Sequence, residues 1–421
     1  MQIEKYKAKS VIRKSSPSLF AWSEVYLNPY QGCFHDCKYC DGKSEGYYMH
    51  NDYADRIRVK TNAPDLLEQF LRKRIFLPIN REKTSTLVDF IPMQIRGHYR
   101  KQDYFNLFIG GGVCDVYQPA EKKIKITRKL LQIAFDYSLP VFILTKNTLA
   151  LRDLDLFKKI NENSYACVSF TITHTDEKIQ KIFEPRASTT QERFEAIKKL
   201  RQEGIHSGIY FYPVLPFIGD TDENMTKIYH QAKSVDAEFV YCWGLTLKPG
   251  RSKDEFLDTI QSHFPELYPK YVQLYSNNDR YGNLDVNQFK IMRLTRPEVK
   301  GFKLGYNYGL RYCVKRYLPK GRIETNLRAA ETLNKIALLK GNIIQEKSDN
   351  PALVQKLYQT AKFLETYQKD IKKIKKEDLN KLPISGEVKP YIIDFIERGS
   401  FLIEELEQKA YNNLLKLKKN E

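Results

Sequence analysis

The chain has no run of apolar residues near the ~20 needed to cross a bilayer, and its mean hydropathy is −0.53. Its opening stretch, MQIEKYKAKSVIRKSS, carries no apolar segment of the kind a secretory leader needs. Both absences set the expectation of a cytoplasmic protein without membrane contact. Cysteine is sparse: seven in 421 residues, too few and too uneven for a disulfide scaffold. An odd count with one tight cluster points instead to a reducing compartment and a metal. Acidic residues are outnumbered, 51 against 69 Lys and Arg, giving a formal +18 and a pI near 9.3. Such a balance suits a polyanion partner, though a lysine-rich proteome yields the same value. Apolar residues are not lacking. At 42% hydrophobic and 13% aromatic, the chain can build a sizeable core, which excludes global disorder. Its length fits two or three domains, or one large barrel with additions.

From Trp22 to Leu247 short apolar runs alternate with amphipathic stretches. Strands are expected at Ser23–Leu27, Phe105–Ile109, Val141–Leu144, Ala166–Thr171, Gly208–Val214 and Phe239–Leu247. The helices between them fall at Pro64–Phe76, Thr127–Tyr137, Asp153–Ile160, Gln191–Glu203 and Glu223–Lys233. Six strands alternating with helices imply parallel β/α units, whose chemistry gathers at the C-terminal strand ends. Leu77–Asp103 is long for one connection and reads as an insertion near that face. The expected organisation is an N-terminal segment over 1–21, a barrel-like unit over 22–250, an irregular extension over 251–320 and a helical accessory domain over 321–421. No internal repeat stands out, and the basic run IKKIKKEDLNK reads as a solvated helix face.

Cys33-Phe-His-Asp-Cys37-Lys-Tyr-Cys40 places three thiols within eight residues, directly after the first strand of this unit. One loop can present all three to one side of an iron–sulfur cube, leaving one iron open for a small chelating molecule. Zinc wants a fourth protein donor; His35 is crowded by the thiols, and no second CxxC exists. A CxxxCxxC loop in this position resembles the radical S-adenosylmethionine (SAM) superfamily. Within it, Asn28–Cys37 (NPYQGCFHDC), Asp115–Glu121 (DVYQPAE), Leu144–Asn147 (LTKN), Leu151–Leu156 (LRDLDL) and Phe183–Ala187 (FEPRA) are similar to the spore photoproduct lyase-like branch, whose members are often labelled DNA repair photolyases.

The resemblance implies a partial (β/α)6 barrel with an appended C-terminal helical domain. It implies a [4Fe-4S] cluster on Cys33, Cys37 and Cys40, SAM on its open iron, and an electron donor of the flavodoxin or ferredoxin type. Tyr39 matches the aromatic position beside the adenine. Gly111 and Gly112, in the triple glycine ending the second strand, match the motif that lets backbone approach the methionyl amino group. Asp115 follows a position aligned with a SAM-contacting serine, here Cys114. Lys146 matches a lysine that meets the SAM carboxylate, and Ser169 or Thr171 offers a hydroxyl to the ribose or carboxylate. Glu184 and Arg186 read equally as an ion pair or as further contacts. Cys167 and Cys242 read as buried, inert hydrophobes. Two positions depart from the pattern. Spore photoproduct lyases carry a hydrogen-donor cysteine where this chain has Val113, and a relay tyrosine after the third cysteine where it has Asp41. The thiol sits one place on, which makes Cys114 the candidate catalytic hydrogen-atom donor.

The segments Tyr99–Lys101, Tyr306–Arg311 and Tyr312–Tyr317 interleave rings with cations, a pattern that stacks on bases and neutralises phosphates in DNA or RNA, or else covers a core edge. A radical enzyme acting on nucleic acid therefore stands beside a non-catalytic iron–sulfur or zinc protein that binds it. The first is expected to be brown, air-sensitive and to release 5′-deoxyadenosine from SAM; a zinc module would be colourless and indifferent to SAM.

Overall fold

The structure is a computed structural model, and it describes residues 2–47, 50–74, 105–110, 113–292, 294–319, 321–344, 351–399 and 401–417. The expected insertion at Leu77–Asp103 and the Tyr99–Lys101 segment lie outside these residues. Among the described residues there are ten strands: β1 (Gln2–Tyr6), β2 (Ile12–Lys14), β3 (Val25–Leu27), β4 (Tyr30–Gln31), β5 (Arg56–Lys60), β6 (Leu107–Ile109), β7 (Val141–Thr145), β8 (Ala166–Thr171), β9 (Ile209–Val214) and β10 (Val240–Gly244).

The larger sheet has the order β10-β9-β8-β7-β6-β3-β2. Strands β3 and β6 to β10 are parallel neighbours in chain order, and β2 adds an antiparallel edge beside β3. This is the expected run of six β/α strands forming a partial barrel, and it aligns every strand's C-terminal end on one side. Buried apolar runs such as VFILT and ACVSFT suit strands covered on both faces. On the outer face Leu107, Val141, Ile143, Val168 and Ile209 pack in one core with the helices, for example with Phe194, Ile197 and Leu200 of Thr190–Gln202. That helix starts in a capping box, the Thr189 side chain accepting from Glu192 N–H and the Glu192 side chain accepting from Thr189 N–H. On the inner face Phe108, Phe142, Cys167, Tyr210 and Phe239 form a separate aromatic core.

A second sheet, β1-β5-β4, was not expected from the sequence. Its strand β4 starts three residues past the end of β3, so it sets where the cysteine loop begins. The stretch 251–320 also differs from the expectation of irregular structure: it holds helices Arg251–His263, Tyr268–Leu274, Val286–Ile291 and Pro297–Tyr308.

Beyond it, Glu324–Leu338, Pro351–Thr366, Lys389–Arg398 and Phe401–Leu417 share an apolar core that includes Leu333, Ile336, Leu357, Leu364 and Ile392. The linking strand of chain reaches into the barrel's inner core through Cys313 and Val314. Trp22 Nε1 donates to the Val314 carbonyl at 3.0 Å, and Arg316 lies 4.7 Å over the Trp22 ring. Arg316 is itself paired with Glu365 at 2.5 Å, where both are buried. The ring-and-cation segments at 306–317 are thus spent on packing. Arg311 pairs with Glu238 at 2.9 Å, Tyr312 donates to Glu407 at 2.7 Å, and Tyr317 stacks on Tyr165. Only Tyr306 among these rings is exposed, and it stacks on Tyr411.

Candidate active site

The cysteine loop leaves β4 through Gly32, whose φ of +83° belongs to the left-handed region. A Cβ there would meet the Arg56 carbonyl at 2.6 Å and the Tyr53 carbonyl at 2.8 Å, so no other residue fits. Gln118 clasps the loop on both sides of Cys33, accepting from Phe34 N–H at 2.9 Å and donating to the Gly32 carbonyl at 3.0 Å. The Asn28 amide holds the facing loop by donating to the Cys114 carbonyl at 2.8 Å. Farther along, Lys38 N–H donates to the Phe183 carbonyl at 2.9 Å. Lys43 bridges Asp36 and Glu255, each at 2.6 Å, and so ties the loop to helix Arg251–His263.

Asp115 is the junction between this loop and β7. Its carboxylate accepts from the Thr145 hydroxyl and the Lys146 N–H, both at 2.7 Å, and from Tyr117 N–H at 2.8 Å. His35 Nδ1 lies 3.4 Å away. The Asn147 carbonyl oxygen is taken by Leu149 N–H, which turns its amide group toward His35 Nε2 at 3.3 Å. Burial alone would raise the Asp115 pKa, but His35, the Lys146 N–H and the Thr145 hydroxyl hold it at about 2. Three hydrogen bonds from the protein thus hold the Asp115 carboxylate in place. The segments that travel together in the sequence are therefore joined in space. Glu121 accepts from Ile126 N–H and Thr127 N–H, pairs with Arg152 and accepts from Tyr30, while Asp153 pairs with Arg152 and Arg128.

Above the inner aromatic core lies a cavity of about 310 Å³. Cys33, Cys37 and Cys40 line it together with Cys114, Asp115 and Lys146. Its remaining wall is largely aromatic: Phe20, Tyr47, Tyr212, Tyr241 and Trp243. Lys146 makes one hydrogen bond from its ammonium among the described residues, to Thr171 at 3.5 Å, and sits 5.7 Å from the Tyr39 ring centre. Burial opposes its charge, yet a Cys37 thiolate, Glu184 and Asp115 raise its pKa. Tyr39 donates its hydroxyl to Glu184, which is also paired with the fully buried Arg193 at 2.5 Å. Arg186 turns elsewhere, pairing with Asp55 at 3.2 Å over the Phe34 ring. Glu184 and Arg186 do not form an ion pair with each other. Burial pushes the Cys114 thiol up to about 12.

One expectation shifts. Ser169 does not line the cavity; it faces Cys167, at 3.5 Å, one inward-facing layer below Thr171, which does line it. Gly111 and Gly112 lie outside the described residues. Val113 and Asp41, at the two departures from the lyase pattern, both line the cavity. Cys167, Cys242 and Cys313 are buried in apolar surroundings.

Residues 27–232 match the family model of the Radical SAM superfamily. The chain carries a radical SAM domain. An uncharacterised protein of Methanocaldococcus jannaschii, MJ0683, is 28% identical over 269 residues, covering 64% of this chain and 86% of that protein. Another from Mycobacterium tuberculosis, Rv2578c, is 26% identical over 253 residues, covering 59% and 66%. Among solved structures, spore photoproduct lyase complexed with dinucleoside spore photoproduct aligns at a TM-score of 0.43 and 13% identity, covering 63% of this chain and 66% of that one. Methylornithine synthase aligns at 0.33 and 11%, covering 69% and 82%. No described helix is long and apolar enough to cross a membrane.

The donor set of the radical SAM loop suits a multi-iron cluster. Three thiols on one loop border the same cavity, each from a fixed backbone. Among the described residues no three His, Cys, Asp or Glu side chains converge as they would around a single ion. A cube spreads its thiolates over separate irons, whereas structural zinc gathers four donors at one centre.

Proposed function

We propose that Cys33, Cys37 and Cys40 hold a [4Fe-4S] cluster whose open iron binds SAM, and that the enzyme abstracts hydrogen from a nucleic-acid substrate. With an electron from a flavodoxin- or ferredoxin-type donor, such a cluster would supply the one-electron reductive cleavage of SAM that releases a 5′-deoxyadenosyl radical. The observation that carries this reading is Lys146: a half-buried ammonium lining the same cavity as the three thiols, with a neutral hydroxyl as its hydrogen-bond partner. An α-amino-acid carboxylate would complete it. Tyr39, its hydroxyl tied to Glu184, keeps a fixed ring for the adenine to lie against. Thr171, rather than Ser169, offers the hydroxyl at the rim, and Asp115 positions Lys146 by holding its backbone.

Cys114 supports the catalytic role foreseen for it. Burial keeps it a neutral thiol inside the cavity, the form able to surrender a hydrogen atom. With Val113 and Asp41 replacing the lyase's donor and relay tyrosine, the reaction differs from thymine-dimer reversal through that relay. The nucleic-acid substrate draws support from the +18 charge and from a cavity wall of rings on which a base can stack. Anaerobic reconstitution with SAM and dithionite tests the function: 5′-deoxyadenosine is expected, and its absence with a full iron complement contradicts it. Salt-dependent binding to single-stranded DNA or RNA tests the substrate class separately.

A further inference from the structure

Tyr53 lies outside every motif that marks the site, yet it touches both ends of the cysteine loop. Its carbonyl accepts the Cys33 N–H at 3.0 Å. Its hydroxyl lies 3.7 Å from Cys40 Sγ and 3.6 Å from Cys114 Sγ. The residue is 2% exposed, so these contacts are shielded from water. Gly42 makes room for it: a Cβ at that position would sit 2.5 Å from the Tyr53 hydroxyl and 2.9 Å from the Val113 carbonyl. The ring is thereby wedged between the loop and the strand-end turn that carries Cys114.

Proton bookkeeping fixes the direction of this chain. A cysteine sulfur bound to iron is a thiolate and can only accept hydrogen bonds. Cys40 Sγ also faces the Val113 carbonyl at 3.8 Å, which has no proton to give. The Tyr53 hydroxyl is therefore the donor to Cys40, and its oxygen is free to accept from the neutral thiol of Cys114. We propose that Tyr53 is a positioning residue that sets the reduction potential of the cluster, its hydroxyl donating to the Cys40 sulfur with the Cys114 S–H behind it. A hydrogen bond to a cluster sulfur draws off negative charge and favours the reduced, more negative state, raising the potential. Burial strengthens the bond, because no water competes for the sulfur.

This rests on the cluster assigned above. The test is an EPR-monitored potential titration of the reconstituted full-length protein, without SAM or substrate, beside iron and sulfide per chain. Tyr53→Phe should keep its iron and sulfide and move the midpoint to a more negative potential. Incorporation of 3-fluorotyrosine at position 53, a stronger donor of nearly the same volume, should move it the opposite way. Midpoints that stay put in both proteins overturn the proposal. If Tyr53→Phe fails to hold iron, the fluorinated protein decides by itself. A wild-type protein that assembles no cluster overturns the proposed function and Tyr53's role together, whereas an intact, SAM-responsive cluster with unmoved midpoints overturns Tyr53's role alone.

Discussion

Replacing Asp115 by asparagine removes one charge from the junction between the cysteine loop and β7 while leaving its shape intact. In the folded protein the Asp115 pKa is held at about 2, against an ordinary value of 3.8. That depression corresponds to about 2 kcal/mol of stability at neutral pH. A carboxyl depressed in this way stabilises above its unfolded pKa and loses the contribution as pH falls through about 2. The substitution also turns an NH₂ group toward donors now bonded to the carboxylate, at a further cost of about 1–3 kcal/mol. The expected loss in Asp115→Asn is thus about 3–5 kcal/mol at pH 7, shrinking by about 1 kcal/mol at pH 3, where the wild type has begun to protonate. Urea unfolding of both proteins at the two pH values, with equal slopes, gives the comparison. A gap below about 0.5 kcal/mol at pH 7, or one that does not narrow at pH 3, refutes the reasoning.

Gly32→Ala forces a Cβ to within 2.6 Å of the Arg56 carbonyl at a φ of +83°; iron incorporation should fall well below three per chain, and full loading would contradict this. Lys146→Ala should leave iron content unchanged and weaken SAM binding at least about tenfold by equilibrium titration, since a charge-assisted contact is lost. An unchanged affinity would remove Lys146 from the SAM site. Glu184→Gln strands the buried Arg193 without its counter-charge and should cost about 3–5 kcal/mol, seen as a lowered thermal midpoint. A melt that matches the wild type would show that Arg193 finds another partner.

The six parallel strands were legible because each is a compact apolar run between amphipathic helices, and the structure moves their ends by only a few residues. The β1-β5-β4 sheet was not, because β4 has two residues and the exposed, charged edge of β1 carries little alternation. Residues 251–320 read as irregular since two of their helices are short and the stretch is interrupted by Pro265, Gly282 and Pro297, with caps such as Asp285 that local pattern hides. In the site, the three cysteines and Lys146 follow from spacing, resemblance and strand ends. Ser169 and Thr171 both point inward, and sequence could not tell which layer meets the cavity, a difference of about 7 Å along a strand. The Gln118 clasp and the Tyr53 wedge join residues 84 and 13 positions apart through contacts with no periodic signature. Gln118 lies inside the DVYQPAE segment, which marks it as a candidate, whereas nothing local marks Tyr53.

The reading depends on one iron that the protein leaves without a ligand. Electron–nuclear double resonance on the dithionite-reduced, reconstituted protein, with SAM carrying ¹⁵N in its amino group and ¹⁷O in its carboxylate, observes that iron directly. Couplings from both labels to the cluster are the predicted result. A cluster spectrum that ignores labelled SAM, with a fourth protein donor such as Cys114 on the iron, would contradict it.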